Sequence, residues 1–377
     1  MDFTFTEEQQ AAVEAAKAVF SGVAPDSVPS PALTPGAVAD DFDRPLWRKL
    51  AHADLLGLPI APEYGGSGLD PIALCLVLRE SAKVLARVPL LESGAAALTL
   101  QKHATDSLRA DVLPQIATGD LVITTAAAGR TGHDPAELAA TARQDGTDWL
   151  LDGTHTTVPW AHTADRILLP AHTPDGHAVL ALVPPTHPGV TLAPQTSTNG
   201  ERHAEIRLDS VRLGTRETIT DPAAWETLRN LLTTGTCALA LGLGERVLAM
   251  TSDYTGKREQ FGFPVATFQA VAVQTADRFI DLRAMEATLW QAAWRITTDA
   301  AGPLPPAGDI AVAKIWAAEG VRRVVQTAQH LHGGFGADTD YPLHRYHAWA
   351  KQLELSLGPA AAHEEALGEL LAAHPLS

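Results

Sequence analysis

With 377 residues, 46% of them hydrophobic and 19% charged, the chain can bury sizeable cores in two or three packed layers. A formal net charge of −16 excludes nucleic acid as an expected partner, because no basic surface would neutralise phosphates. Cys75 and Cys237 both lie in apolar runs and read as buried thiols of a reducing cytoplasm, and no basic-then-apolar leader precedes Met1-Asp2-Phe3-Thr4, so a cytoplasmic protein is expected.

Taken in chain order, residues 1–120 read as helices. Thr6-Glu7-Glu8-Gln9 has the pattern of a capping box and opens an Ala-rich amphipathic run to Phe20. A proline-rich connector follows from Pro25 to Pro35. Leu46, Trp47, Leu50 and Leu55 then mark a second helix by their spacing. Near Asp120 the pattern changes. Short apolar runs (Leu121 to Thr125, Trp149 to Leu151, Arg166 to Pro170, Ala178 to Pro184 and Glu205 to Val211) are divided by Gly, Pro, Asp and Thr, which predicts a small all-β unit over 121–218. From 219 to 377 the pattern is helical again, with long segments at about 222–256, 264–298, 307–332 and 342–373. The run from Leu231 to Met250 is apolar but carries Thr233, Thr234, Thr236, Glu245 and Arg246. That composition fits a helix buried in a bundle, and no membrane association is expected.

Three segments carry chemistry. Arg258-Glu259-Gln260-Phe261-Gly262 is followed, seven residues after Gly262, by Gln269. His332-Gly333-Gly334-Phe335-Gly336 leads into Tyr341-Pro342, and Pro62-Glu63-Tyr64-Gly65-Gly66-Ser67-Gly68 stands near the front. An arginine offers a two-pronged fork to phosphate, and a diglycine lets backbone amides approach a phosphate or ribose. In this order and spacing the segments resemble the acyl-CoA dehydrogenase family of flavoproteins, nearly end to end. The resemblance implies an α+β fold made of an N-terminal helical domain, a central β-barrel or sandwich and a C-terminal four-helix bundle. It implies FAD as cofactor and an acyl thioester, on CoA or a carrier protein, as substrate. Arg258, Phe261 and Gln269 would hold the adenine-dinucleotide portion from one subunit, and Gly333 and Gly334 would help hold it across a dimer interface. Thr125, with Thr124 beside it, would meet the pyrimidine edge of the flavin. A homodimer, a homotetramer or a heterotetramer with a related subunit is expected.

The chain departs from the family pattern around the reacting end. Ile123-Thr124-Thr125-Ala126-Ala127-Ala128-Gly129-Arg130 lacks the family's Glu-Pro pair after its threonine. Thr157 stands where the family has tryptophan, with Trp160 close behind. Removal of a weakly acidic α-proton needs a carboxylate within hydrogen-bond reach. The family's commonest position for it, just before a glycine, is Leu357 here, and the alternative positions are Leu232 and Leu239. Two substitutes are Glu354, expected to share a helix face with Leu357, and Glu226, about a turn and a half before the central helix. For both, a solvated surface glutamate is the plainer role. Glu245, beside Arg246, reads as structural, and His332 as a group near the cofactor. His344 and His347 are ionisable near neutrality. The 15 histidines form no metal-ligand motif, no metal is expected, and no Gly-x-Gly-x-x-Gly follows a strand. Two functions follow: an FAD-dependent oxidoreductase of acyl-CoA dehydrogenase type, its base displaced, or a non-catalytic subunit of a hetero-oligomeric acyl-CoA dehydrogenase. A binding protein that had lost flavin would be expected to lose Arg258 and the diglycine as well.

Overall fold

Thr6 caps the first helix as its sequence predicts. Its hydroxyl accepts from Gln9 N–H at 3.2 Å while the Gln9 amide oxygen accepts from Thr6 N–H at 3.0 Å, and α1 runs Glu7–Phe20. The computed structural model describes residues 4–25, 28–31, 33–39, 41–131, 135–298 and 300–375. The chain start at 1–3, where no leader was read, and residues 26–27 and 32 of the proline-rich connector lie outside the described residues. Helices α2 (Arg44–His52), α3 (Pro71–Ala82), α4 (Leu90–His103) and α5 (Asp106–Thr118) complete the N-terminal part. Leu55 lies just past α2 rather than on it, and is buried all the same. Packing groups the chain into one unit of Met1–Ala37, Cys75–Ala86 and Thr233–Ser377, and a second of Val38–Leu74 and Arg87–Leu232.

In the second unit, Trp47 of α2 donates its indole N–H to the Gly119 carbonyl at 2.9 Å, tying α2 to the end of α5. The strands follow: β1 (Ile123–Thr125), β2 (Ala140–Asp145), β3 (Asp148–Pro159), β4 (Arg166–His172), β5 (Ala178–Val183), β6 (Val190–Thr196), β7 (Arg202–Leu213) and β8 (Thr218–Ile219). They form one sheet in the order β6-β7-β3-β2-β4-β5-β8, and β1 adds to β4 in parallel. Alternate residues point inward: Ile167, Leu169 and Ala171 on β4, Val179, Ala181 and Val183 on β5, Ala204, Ile206 and Leu208 on β7. All meet in one cluster, so the sheet curls over its own inner face. Among the described strands, β6 ends the path, and that edge place accommodates Pro194.

In the first unit, α6 spans Ala224–Lys257, and its residues from Thr233 onward belong here. It is long and apolar enough to cross a membrane, but 78% of its most apolar stretch is buried in the protein, as suits a core helix. At Gly242 it crosses α3 so closely that a Cβ would stand 1.9 Å from the Arg79 carbonyl oxygen. Arg79 ion-pairs Glu245 beside that crossing. Helices α7 (Gln269–Thr298) and α8 (Pro306–His332) pack through Met285, Leu289, Ala313, Ala317 and Val321, with Gly320 giving room to the Met285 thioether. The fourth long segment is two helices, α9 (Leu343–Leu355) and α10 (Ala360–Ala373), because the backbone turns left-handed at Leu357 (φ 59°) and Gly358 (φ 99°).

Candidate functional site

The residues proposed to hold a dinucleotide lie around the end of α6 in the first unit. Arg258 follows the helix, its N–H bonded to the Tyr254 carbonyl at 2.8 Å and its carbonyl to Val265 N–H at 2.7 Å. A hairpin of β9 (Glu259–Gln260) and β10 (Phe263–Pro264) projects next. Phe261 (φ 56°) and Gly262 (φ 81°) form its two-residue tip, the left-handed pair that a tight hairpin demands. Phe261 is 90% exposed and meets only the edge of Phe268 among described rings, at 6.4 Å. Gln269 is the first residue of α7 and faces solvent. Gly333 ends α8 at φ 59°, ψ −137°, a conformation reserved for glycine. Gly334 has no such need, and a Cβ there would meet no atom within 4 Å. Open space beside an exposed backbone is what an incoming phosphate or ribose requires, so these residues fit the dinucleotide portion of FAD.

An aromatic stack joins the two parts of this surface. The Tyr254 ring lies on His332 (4.4 Å, 20°) and on Phe335 (5.2 Å, 8°), and Tyr341 closes against both. Within one chain, Tyr254 links the end of α6, which precedes Arg258, to the residues flanking the diglycine.

The β-unit offers a second surface. Thr125 is buried on β1, paired with Leu168 of β4. Thr124 donates its hydroxyl to the Pro159 carbonyl at 2.6 Å, and Ser93 of α4 donates to the Ile123 carbonyl at 2.8 Å. Beside Ser93 is Glu92, which sequence reasoning missed. Burial pushes its carboxyl up to about 7, opposed by hydrogen bonds from its own N–H and the Trp160 indole. Trp160 has a left-handed backbone (φ 56°), and its indole meets Glu92 and the edge of Phe42. Thr157 offers its N–H to Gln195 at 2.8 Å.

The loop around Leu357 is fully built. Lys314 Nζ donates to the carbonyls of Leu353 (3.0 Å) and Glu354 (3.1 Å), and His363 Nε2 donates to the Leu357 carbonyl at 2.8 Å. Burial beside Cys237 pushes Lys314 down to about 8, and Cys237 up to about 12. Glu354 does not share a face with Leu357: α9 has ended by Leu355, and the Glu354 carboxylate is held by Lys351 at 2.6 Å. Glu226 does not precede α6 but sits in its first turn, exposed, where a carboxylate favours the helix dipole. Leu232 is buried, and Leu239 lies on the same helix with no carboxylate to offer.

Residues 6–120 match the acyl-CoA dehydrogenase N-terminal domain, and residues 230–371 match the acyl-CoA dehydrogenase C-terminal domain. The chain belongs to the acyl-CoA dehydrogenase family. It is 39% identical over 341 residues to acyl-CoA dehydrogenase FadE27 of Mycobacterium tuberculosis, covering 89% of this chain and 90% of that protein. It resembles the crystal structure of the ChsE4–ChsE5 complex from Mycobacterium tuberculosis at 35% identity and a TM-score of 0.90, over 100% of both chains. A variant of the Tcur3481–Tcur3483 steroid acyl-CoA dehydrogenase is similar at 36% identity and a TM-score of 0.89, over 97% of this chain and 98% of that one.

Proposed function

We propose that this chain is one of two unlike subunits of a hetero-oligomeric acyl-CoA dehydrogenase acting on an acyl thioester. It contributes the adenine side of an FAD site, and its partner contributes the base. The observation that carries this reading is an asymmetry. Arg258, Phe261, Gln269, Gly333 and Gly334 are retained and face solvent, whereas Leu357 stands on an intact loop with Glu354 tied to Lys351. When bound, FAD would supply the hydride acceptor for the β-carbon of the thioester. Arg258 would pair with the pyrophosphate, and the backbone of Gly333 and Gly334 would approach the adenosine. Phe261, Phe263, Val273, Phe279 and Ile280 are exposed apolar residues of the hairpin and early α7, which favours a covering subunit. Similarity to two assemblies of unlike chains supports the hetero-oligomer, and similarity to a steroid enzyme favours a bulky ring-bearing acyl group. The free buried thiols of Cys75 and Cys237 favour a reducing cytoplasm.

Purification alone and with a base-bearing acyl-CoA dehydrogenase relative from the same source tests the proposal. The expected result is no turnover of acyl-CoA by this chain alone, and one flavin per pair of unlike chains in an active complex. A second reading, dehydrogenation by this chain alone, draws on Glu92, a carboxyl pushed up to about 7 next to β1. Turnover by the isolated chain that Glu92→Gln abolishes would favour it.

A further inference from the structure

We infer that Tyr341 and His332 are positioning residues for the dinucleotide: together with Tyr254 they lock the Gly333–Gly334 backbone against the end of α6 that carries Arg258. The hydrogen bonds fix the protons. His332 Nδ1 is 2.8 Å from the Ala328 carbonyl, which can only accept, so the ring proton sits on Nδ1. Nε2 is then an acceptor, and the Tyr341 hydroxyl, 3.1 Å away, donates to it. This holds the imidazole flat against Tyr254 at 4.4 Å, in the residue immediately before Gly333. Tyr254 in turn accepts the Arg258 N–H on its carbonyl and stacks on Phe335, one residue past Gly334. One stack therefore sets the spacing between the arginine and the diglycine, which are far apart in sequence.

A device that served packing alone would be covered. Here Phe335, at the outer end of the stack, is 42% exposed, and the space at Gly334 is open. The order built into the stack is thus delivered at the surface that, on the FAD reading above, meets the dinucleotide. Preorganised spacing raises affinity by removing an ordering cost that the ligand would otherwise bear.

The test uses three probes on the full chain and on its complex: FAD, ADP as the dinucleotide end alone, and FMN as a flavin without adenosine. Tyr341→Phe removes one hydroxyl and keeps the ring. It should weaken FAD and ADP to a similar degree, about tenfold, the loss of one part-buried hydrogen bond, with FMN binding unchanged. Tyr254→Leu, which removes the stack at a half-buried position, should do the same and guards against a single variant that fails to fold. Wild-type affinity for FAD and ADP in folded Tyr341→Phe overturns the inference, as does equal weakening of all three probes, which marks a general loosening. If neither the wild-type chain nor its complex binds FAD or ADP, the FAD reading itself has failed.

Discussion

Replacing Gly334 with alanine separates what the fold requires from what a ligand requires. At the neighbouring Gly333 the two cannot be separated, since φ 59°, ψ −137° would strain any other residue by roughly 1–3 kcal/mol. At Gly334 the backbone is not left-handed and an added Cβ meets nothing within 4 Å. Alanine at a compatible position lowers the entropy of the unfolded chain, so ligand-free stability should hold or rise by about 0.4–1 kcal/mol. The same methyl would stand where the dinucleotide approaches the backbone. Displacing one charge-assisted hydrogen bond costs about 1.5–3 kcal/mol, or roughly ten- to a hundredfold in FAD affinity. Thermal melts of the ligand-free protein and FAD titrations by fluorescence quenching read the two effects independently. A Gly334→Ala protein with unchanged melting and unchanged FAD affinity refutes a dinucleotide at the diglycine. One that loses stability as well contradicts the open space seen there.

Arg258→Ala should cost a similar ten- to hundredfold in FAD affinity by removing a two-pronged charged contact, while melting of the ligand-free chain stays put because the side chain is exposed; full flavin occupancy at low FAD would sink the assignment. Glu92 titrates from about 7 when folded against 4.5 ordinarily, so the folded state holds its proton more tightly than the unfolded chain. Its contribution of about 3 kcal/mol is present below about pH 4.5 and lost as pH rises through about 7. Buried His155 acts in the other direction. It is pushed down to about 4, so its contribution is present above pH 6.5 and lost as pH falls through about 4. Urea melts between pH 5 and 8 should show stability falling with pH on account of Glu92 and flattening in Glu92→Gln; an identical slope in the variant removes Glu92 as the source. Gly242→Ala would place its Cβ 1.9 Å from a backbone oxygen of α3. It should destabilise by at least about 1–3 kcal/mol, seen as a lower urea midpoint, and an unchanged midpoint would falsify the close crossing.

The architecture was legible because period and punctuation carry it. The capping box at Thr6, the change of pattern near Asp120 and the long apolar spacing of α8 each follow from burying one face of a regular element. What escaped was polar or bent. β2 and β6 alternate weakly, and β6 carries Pro194, so neither announces itself as a strand. The break after Leu355 depends on a left-handed leucine, a conformation that sequence does not advertise for that residue. Arg258, Gln269 and the diglycine could be singled out because their motifs are local. The stack that joins them draws on Tyr254, His332, Phe335 and Tyr341 from separate elements, and the importance of Glu92 rests on burial alone.

The loop at Leu357 is held by its backbone and not by the side chain at position 357. Keeping Lys314 buried is costly, since desolvation pushes it down to about 8 and its nearest acceptors are two carbonyls. Those carbonyls are the unpaired ones at the end of α9, where a cation also meets the negative end of the helix dipole. Removing Lys314 would take the donor from both of these part-buried carbonyls. His363 serves the Leu357 carbonyl in the same manner, at 2.8 Å. The scaffold of the loop therefore rests on backbone hydrogen bonds, which a change of side chain at position 357 leaves intact. A glutamate or a leucine at position 357 would therefore rest on the same backbone hydrogen bonds.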